Sequence, residues 1–294
     1  MNFMQSYNQI SFRYLDWLCS MRLRENIQAS IEFLKNAEAL LVTAGAGMGV
    51  DSGLPDFRGD QGFWNAYPLY GKDGISMYEI ARPASFTDDP HFGWGFYGHR
   101  FNLYQATTPH EGFQLLLKWI DRFGWDYFTA TSNVDGHFEK AGFPPERVYE
   151  IHGSINHIQC VKPCCKTIWH LDQVIEIDEN TMRSVNVPKC PNCGGTARPS
   201  IPLYGDWHFI DTRLAGQRRK FLEFLERSRN RALVIIEIGA GTTMPVVRNV
   251  TESLYLHKNV NVVRINTLEP EIDSPHISLK CRGLEALQRI DEGL

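Results

Sequence analysis

The run ALVIIEIGAG, residues 232–241, constrains the fold more than any other stretch. Its first seven residues carry a single charged side chain, Glu237, and the chain then breaks into Gly-Ala-Gly. Apolar and polar residues do not alternate, so both faces of the extended segment need cover. Strands covered on both faces belong to parallel sheets sandwiched between helices. The run is also far short of the roughly 20 apolar residues that span a bilayer. Four other segments have the same form: ALLVTAGAG (strand at about 39–44), DYFTATSNVDG (126–132), RVYEIHGS (147–151) and VNVVRINT (260–265). Helical patterns lie between them, in RENIQASIEFLKN, GFQLLLKWIDRFG and RRKFLEFLERSRN. This alternation predicts an α/β fold, a parallel sheet with helices on both faces.

Two stretches interrupt the pattern. Residues 59–108 are rich in aromatics, Gly and Pro with short helical pieces, and residues 159–206 carry a cysteine cluster. Both read as insertions that together form a smaller lobe. The sheet domain is then assembled from 25–58, 109–158 and 207–290. Net charge is -4 with no basic block, which argues against a nucleic-acid partner. The N-terminal segment MNFMQSYNQISFRYLDWLCS lacks a basic region followed by an apolar core, so neither a secretory leader nor a membrane anchor is expected, and a cytoplasmic site is.

There are seven cysteines, an odd number, and five fall between 160 and 193. This suits one metal knot in a reducing compartment better than a disulfide framework. CVKPCC and CPNC can present four thiolates tetrahedrally to a structural zinc ion: Cys160, Cys164, Cys190 and Cys193. The spacing equally permits Cys165 in place of Cys164.

LLVTAGAGMGVDSGLPDFRGDQGFW, residues 40–64, runs from a strand into closely spaced glycines, a form that lets backbone N–H groups approach a pyrophosphate. It departs from the usual G-x-G-x-x-G fingerprint. TSNVDG (131–136), HGS (152–154) and GAGTT (239–243) are further small or polar clusters at strand carboxyl ends, where open α/β sheets bind ligands. With these in place the chain resembles a sirtuin, the family of NAD-dependent protein deacylases. GAGMGVDSGLPDFRG is similar to the family's G-A-G-I-S-x-x-S-G-I-P-D-F-R, TSNVDGHFEKAG to T-Q-N-I-D-x-L-x-x-x-A-G, and HGS to its catalytic H-G. RPSIPLYGD is similar to R-P-x-V-V-x-F-G-E, GAGTT to the later G-T-S, and RIN to the family's I-N. The order holds from about 25 to 290.

The resemblance implies a Rossmann-like NAD-binding domain, with a small lobe made of a zinc-ribbon module and a helical module. It places Gly45, Ala46 and Gly47 on the NAD phosphates. Asp56, Phe57 and Arg58 fall in a lid over the nicotinamide ribose. Ser132, Asn133, Val134 and Asp135 line the nicotinamide side, and Gly241, Thr242, Thr243 and Asn266 also bind the cofactor. His152 becomes the general base toward a ribose hydroxyl, with Asn133 as its catalytic companion; an imidazole titrates near neutrality and suits that work. His99, His110, His137 and His257 lack a comparable context and read as structural. The implied products are nicotinamide, deacylated lysine and O-acyl-ADP-ribose.

For the substrate, EIARPASFTDDPHFGWGFYGHR resembles the sirtuins that remove acidic acyl groups. Ala81 leaves room for the acyl chain. Tyr97 and Arg100, at i and i+3 of a helix, share a face and can hold a distal carboxylate. This implies succinyl-, malonyl- or glutaryl-lysine over acetyl-lysine, with Leu203, Tyr204 and Gly205 along the peptide. Three positions depart from the family pattern: Gly49 for Ser, Ser132 for Gln and Pro202 for Val. Proline donates nothing to a ladder, and Ser132 loses a ribose contact. These departures keep ADP-ribosyl transfer or NAD hydrolysis open as the alternative. A non-enzymatic nucleotide-sensing zinc module stands third, because Asn133 and His152 are both present.

Overall fold

A computed structural model describes residues 20–55 and 59–294, without the side chains of 59–61. Asp56, Phe57 and Arg58, expected in the lid, lie outside the described residues, as does the N-terminal segment read for a leader. The strands are β1 (Ala39–Ala44), β2 (Asp126–Thr131), β3 (Val148–Glu150), β4 (Ser154–Cys160), β5 (Ile168–His170), β6 (Ile177–Asp178), β7 (Arg183–Ser184), β8 (Ala197–Ser200), β9 (Leu233–Ile238), β10 (Val260–Ile265) and β11 (Ile277–Leu279). The helices are α1 (20–35), α2 (Gly47–Val50), α3 (Gly59–Ala66), α4 (Pro68–Lys72), α5 (Met77–Ile80), α6 (Ala84–Thr87), α7 (Pro90–Ala106), α8 (Gly112–Phe123), α9 (His137–Lys140), α10 (Thr212–Ser228), α11 (Val246–Tyr255) and α12 (Gly283–Asp291).

Six strands form one sheet in the order β11-β10-β9-β1-β2-β3, and every pairing is parallel. The five strands read from the sequence are all in it. The sixth, β11, is three residues long in a polar context and left no pattern to read. The apolar runs alternate faces as a pleat requires. Leu40, Val42 and Ala44 join Val234, Ile236 and Ile238 on one side, packed with Ile27, Leu116, Trp119 and Leu287. Ala39 and Leu41 join Phe128, Leu233 and Ile235 on the other, packed with Phe221 and Phe224 of α10. Each face buries its own cluster, which accounts for runs without polar alternation.

α8 illustrates how local sequence serves this sheet. Phe113, Leu116 and Ile120 recur at helical spacing and are buried, and Gly124 ends the helix in the left-handed region at φ 63°. The order of strands reverses between β1 and β9: the chain leaves β1 toward β2 and β3, then returns on the other side through β9, β10 and β11. At such a switch point the loops beyond the strand carboxyl ends diverge and leave a crevice.

A separate core holds the two insertions together. Phe63, Tyr67, Tyr70, Phe86, Trp94 and Phe96 pack with Ile155, Ile158, Leu171 and Ile175. α7 starts at the Asp89 cap, whose carboxylate accepts from Phe92 N–H at 3.2 Å, with Pro90 next. Its glycines serve packing. A Cβ on Gly95 would lie 2.0 Å from the Met182 carbonyl oxygen, so the β6–β7 hairpin rests directly on the helix backbone. β4, β5 and β8 form a three-stranded antiparallel sheet beside the cysteines.

Candidate active site

The floor of the crevice is built from backbone. Gly45 N–H donates to Ile238 O at 2.9 Å, and Gly47 N–H donates to Gly239 O at 3.1 Å. A Cβ on Gly47 would stand 2.6 Å from Gly239 Cα, and one on Gly45 2.7 Å from Gly239 O. Gly239 itself has φ 62°, and its Cβ would fall 2.4 Å from Gly47 Cα. The loops after β1 and β9 therefore interlock only because both are glycine there. Gly49, the departure from the family pattern, is buried, with Leu54 Cδ1 3.1 Å from where its Cβ would be.

Side chains then fix these loops. Asn133 Nδ2 donates to Gly45 O at 3.0 Å, while Thr131 Oγ1 and Ser132 N–H both donate to Ala44 O at 2.9 and 3.1 Å. The motif after β2 is thus tied to the motif after β1. His152 follows β3, half-buried beside the Ser132 backbone. Burial lowers its pKa, and the Ser132 backbone contact only partly opposes this. Two residues earlier Glu150 is buried against Arg213 at 2.5 Å, and desolvation lifts its carboxyl to about 7 despite that guanidinium. Asp135 is buried and accepts from His137 N–H at 2.9 Å; desolvation raises its pKa, with His137 and Arg100 opposing.

On the other side of the switch point, Asn266 is buried, donates to Ala240 O at 2.8 Å and accepts from Leu268 and Glu269 N–H. Thr242 is exposed. Its N–H and hydroxyl both donate to the Glu269 carboxylate, at 3.0 and 2.5 Å. Gly241 precedes it, and Thr243 is exposed beyond it.

Several supporting residues went unread in the sequence. Gly239 was visible in GAGTT, but its positive φ and its contact with Gly47 were not. Arg248 and Glu269 left no signal at all: Arg248 is an Arg within an amphipathic helix whose Nε and Nη2 reach Ala240 O at 3.2 and 3.0 Å. His110, taken as structural, accepts from Gly112 N–H at Nδ1 and lies 3.0 Å from Met48 O at Nε2, so its ring braces α2. Lone histidines and arginines look the same in sequence whether they brace a site or decorate a surface.

The residues expected at the substrate gather at the second core, to which Tyr97 and Leu203 belong and over whose Phe96 Arg100 lies. Ala81 closes α5, and its carbonyl accepts Tyr204 N–H at 2.8 Å. Leu203 to Asp206 form a tight turn: Asp206 N–H donates to Leu203 O at 3.2 Å, Leu203 N–H faces Asp206 Oδ2 at 3.4 Å, and Gly205 has φ 69°. Asp206 is in turn held by Arg198, 2.5 Å away, both side chains almost wholly buried. Tyr97 and Arg100 are buried on α7. Burial lifts the Tyr97 hydroxyl to about 12, partly offset by Arg100. Arg100 donates through Nε and Nη2 to the Tyr104 hydroxyl at 2.9 and 2.6 Å and lies over the Phe96 ring.

Cys160, Cys164, Cys190 and Cys193 bring all four sulfurs within 4.8 Å of one another. Cys160–Cys193 and Cys164–Cys190 are 3.7 and 3.5 Å apart. Zn–S bonds of about 2.3 Å in a tetrahedron set S···S near roughly 3.8 Å, so this quartet fits a zinc ion with no coordination position left over. Cys165 lies outside the quartet, its sulfur 3.9 Å from that of Cys164.

A parallel sheet with a reversal, glycine loops at the reversal and a four-thiol ribbon define a nucleotide-crevice α/β protein with a structural metal module. The Sir2 family model matches residues 45–242, and the chain belongs to that family. A relative from Aquifex aeolicus, an NAD-dependent protein deacylase, is 30% identical over 167 residues, 57% of this chain and 62% of its own length. The chain thus aligns with about three fifths of that relative. A second relative, from Fusarium oxysporum f. sp. cubense, carries the name "Probable bifunctional ADP-ribose hydrolase/ADP-ribosyltransferase". It is 28% identical over 263 residues, 83% of this chain and 42% of its own length. Among solved structures, a Sir2 homologue in complex with NAD superposes with a TM-score of 0.66 at 22% identity, over 90% of this chain and 93% of that one. This likeness establishes the shared fold. Among the described residues no helix is long and apolar enough to cross a membrane.

Proposed function

We propose that the chain is an NAD-consuming protein deacylase that takes an acyl-lysine protein as substrate and releases nicotinamide, deacylated lysine and O-acyl-ADP-ribose. The observation that carries this reading is the meeting of three strand ends: the Gly45–Gly47 loop, Asn133 bonded to Gly45 O, and His152 against Ser132. In this reading the backbone of Gly45, Ala46 and Gly47 binds the NAD phosphates, with Arg58 closing over the ribose beside Asp56 and Phe57. Val134 and Asp135 line the nicotinamide pocket. Gly241, Thr242, Thr243 and Asn266 hold the adenosine end. Neutral His152 takes the proton of a ribose hydroxyl. Ala81, Tyr97 and Arg100 accept an acidic acyl group, and Leu203, Tyr204 and Gly205 flank the peptide. The zinc ion, held by Cys160, Cys164, Cys190 and Cys193, supports the small lobe and supplies no chemistry. The reading divides the chain into an NAD-binding domain (25–58, 109–158, 207–290), a helical module (59–108) and a zinc module (159–206), working in the cytoplasm.

A second reading, ADP-ribosyl transfer to a protein side chain, is favoured by two observations. The relative named for that activity aligns over 83% of this chain, against 57% for the Aquifex deacylase. Leu203, Tyr204 and Asp206 also engage their N–H groups within the protein, where strand addition by an acyl-peptide would draw on such groups. Incubating the protein with NAD and a panel of succinyl-, glutaryl- and acetyl-lysine peptides, and reading products by mass, decides between them. O-acyl-ADP-ribose supports deacylation; a +ADP-ribose product without it supports transfer. Nicotinamide release undiminished in His152→Ala, with O-acyl-ADP-ribose still formed, removes His152 from the mechanism.

A further inference from the structure

The acceptor side carries an anomaly that the NAD crevice does not. Trp207 is 93% exposed, although large aromatics are among the costliest groups to leave in water. It follows directly on the turn that Arg198 pins through Asp206. On the same turn Tyr204 is 45% exposed, and its ring packs against Tyr78 of α5 with centroids 4.9 Å apart. Tyr78 is 54% exposed, and Arg82 lies over it at 5.5 Å. Among the described residues no carboxylate forms an ion pair with Arg82, whose charge acts on Glu79 only from a distance, because Glu79 is engaged by the Ser76 cap.

Several backbone N–H groups of this segment are already engaged. Pro202 has no N–H. Leu203, Tyr204, Asp206 and His208 N–H groups are turned to Asp206 Oδ2, Ala81 O, Leu203 O and Asp206 Oδ1. The surface also presents two tyrosines, a tryptophan and an arginine, the residue types that dominate binding energy at protein interfaces. The platform adjoins the expected acyl site, since Tyr204 N–H donates to Ala81 O at 2.8 Å.

Building on the proposed acceptor side, we infer that Tyr78, Arg82, Tyr204 and Trp207 form the docking platform for the acceptor protein, and that it takes a segment presenting a carboxylate beside an apolar side chain. The exposed Arg82 guanidinium selects the carboxylate, and the rings cover the apolar neighbour.

Fluorescence anisotropy of labelled succinyl-lysine peptides flanked by Glu-Leu, Lys-Leu or Glu-Ser, on the full chain with ADP-ribose present, tests this. The Glu-Leu peptide binds at least about tenfold tighter than the other two. Trp207→Ala removes that advantage, and Arg82→Glu transfers it to the Lys-Leu peptide. Both side chains lie at the surface, so melting curves confirm that the variants fold. Equal binding of all three peptides, or binding of none, overturns the platform, as does a Glu-Leu preference that survives both substitutions. An ADP-ribose-induced melting shift is scored separately: its absence in the unaltered protein counts against the NAD reading, while the anisotropy still judges the platform.

Discussion

The two sides of the site are made from different materials. At the switch point between β1 and β9 the crevice is backbone against backbone, with Gly47 and Gly239 in van der Waals contact and carbonyls spent on neighbouring loops. On the acceptor side, contact is made by side chains: the buried Arg198–Asp206 pair, the Tyr78–Tyr204 stack, and Arg100 on Tyr104. A backbone-built surface tolerates no added atom but is indifferent to most residues around it. A side-chain-built surface can change its specificity by substitution while its scaffold stays. The first suits a ligand that does not vary, the second one that does.

The sharpest way to break this contrast is to add one methyl group to the crevice. In Gly239→Ala the new Cβ falls 2.4 Å from Gly47 Cα, and the residue must hold φ 62° besides. Backbone cannot step aside as a rotamer can. The expected cost is about 4 kcal/mol or more, with loss of ADP-ribose binding by calorimetry. Gly53→Ala is the control: φ is 87° but nothing lies within 4 Å, so only the strain of about 1 kcal/mol applies. Equal melting points for the two variants would show that the interlock does not hold the loops.

The acceptor side should fail in a different manner. Arg198→Met strands the Asp206 carboxylate, nearly fully buried, without its partner or a route to water. Removing one member of such a pair costs about 3 kcal/mol. The loss should center on the 203–206 turn, read as faster amide exchange at Tyr204 and Asp206 with ADP-ribose binding retained. Protection that falls evenly through β1 and β9 as well would erase the distinction between the two sides.

Much of this was legible in advance, for a physical reason. Five of the six central strands are doubly covered, so their sequences are continuous apolar runs, and the loops that follow them are constrained to glycine or small polar residues. The cysteine cluster was legible because metal geometry fixes ligand spacing, although spacing left Cys164 and Cys165 interchangeable and the structure decides for Cys164. β11 escaped because three residues carry no period. The contributions of His110, Arg248 and Glu269 escaped because each contacts a backbone oxygen or N–H far away in sequence, and no local pattern encodes such a partner. The turn at 203–206 was half legible: Pro202 signalled that strand pairing was disturbed, but not that Asp206 and Arg198 had closed the segment on itself.

A smaller effect concerns the proton that the proposed mechanism gives to His152. Burial holds its pKa below the usual imidazole value of about 6.5. The base form is the neutral ring, so kcat/KM should stay flat as pH falls from 8 to about 6.5 and decline only below that. The same sign applies to stability, since the unfolded ring gains its proton first and the folded state loses ground only as pH drops through that range. An acid limb centered near pH 7 in the rate profile would mean that a group other than His152, such as Glu150 with its carboxyl at about 7, sets the protonation of the step.

The smallest expected effect is the one at Cys165, and a null result there is informative. Its sulfur is 3.9 Å from Cys164 but is not among the four that lie within 4.8 Å of one another. Cys164 also has an Asn192 side-chain N–H directed at its sulfur from 3.2 Å, the kind of contact that orients a metal-bound thiolate. Zinc content by elemental analysis should therefore stay at one ion per chain in Cys165→Ser and fall in Cys164→Ser. Should the two variants keep zinc equally, the vicinal thiols exchange as ligands. The zinc lobe would then share the adaptability of the acceptor side, in place of the rigidity of the crevice.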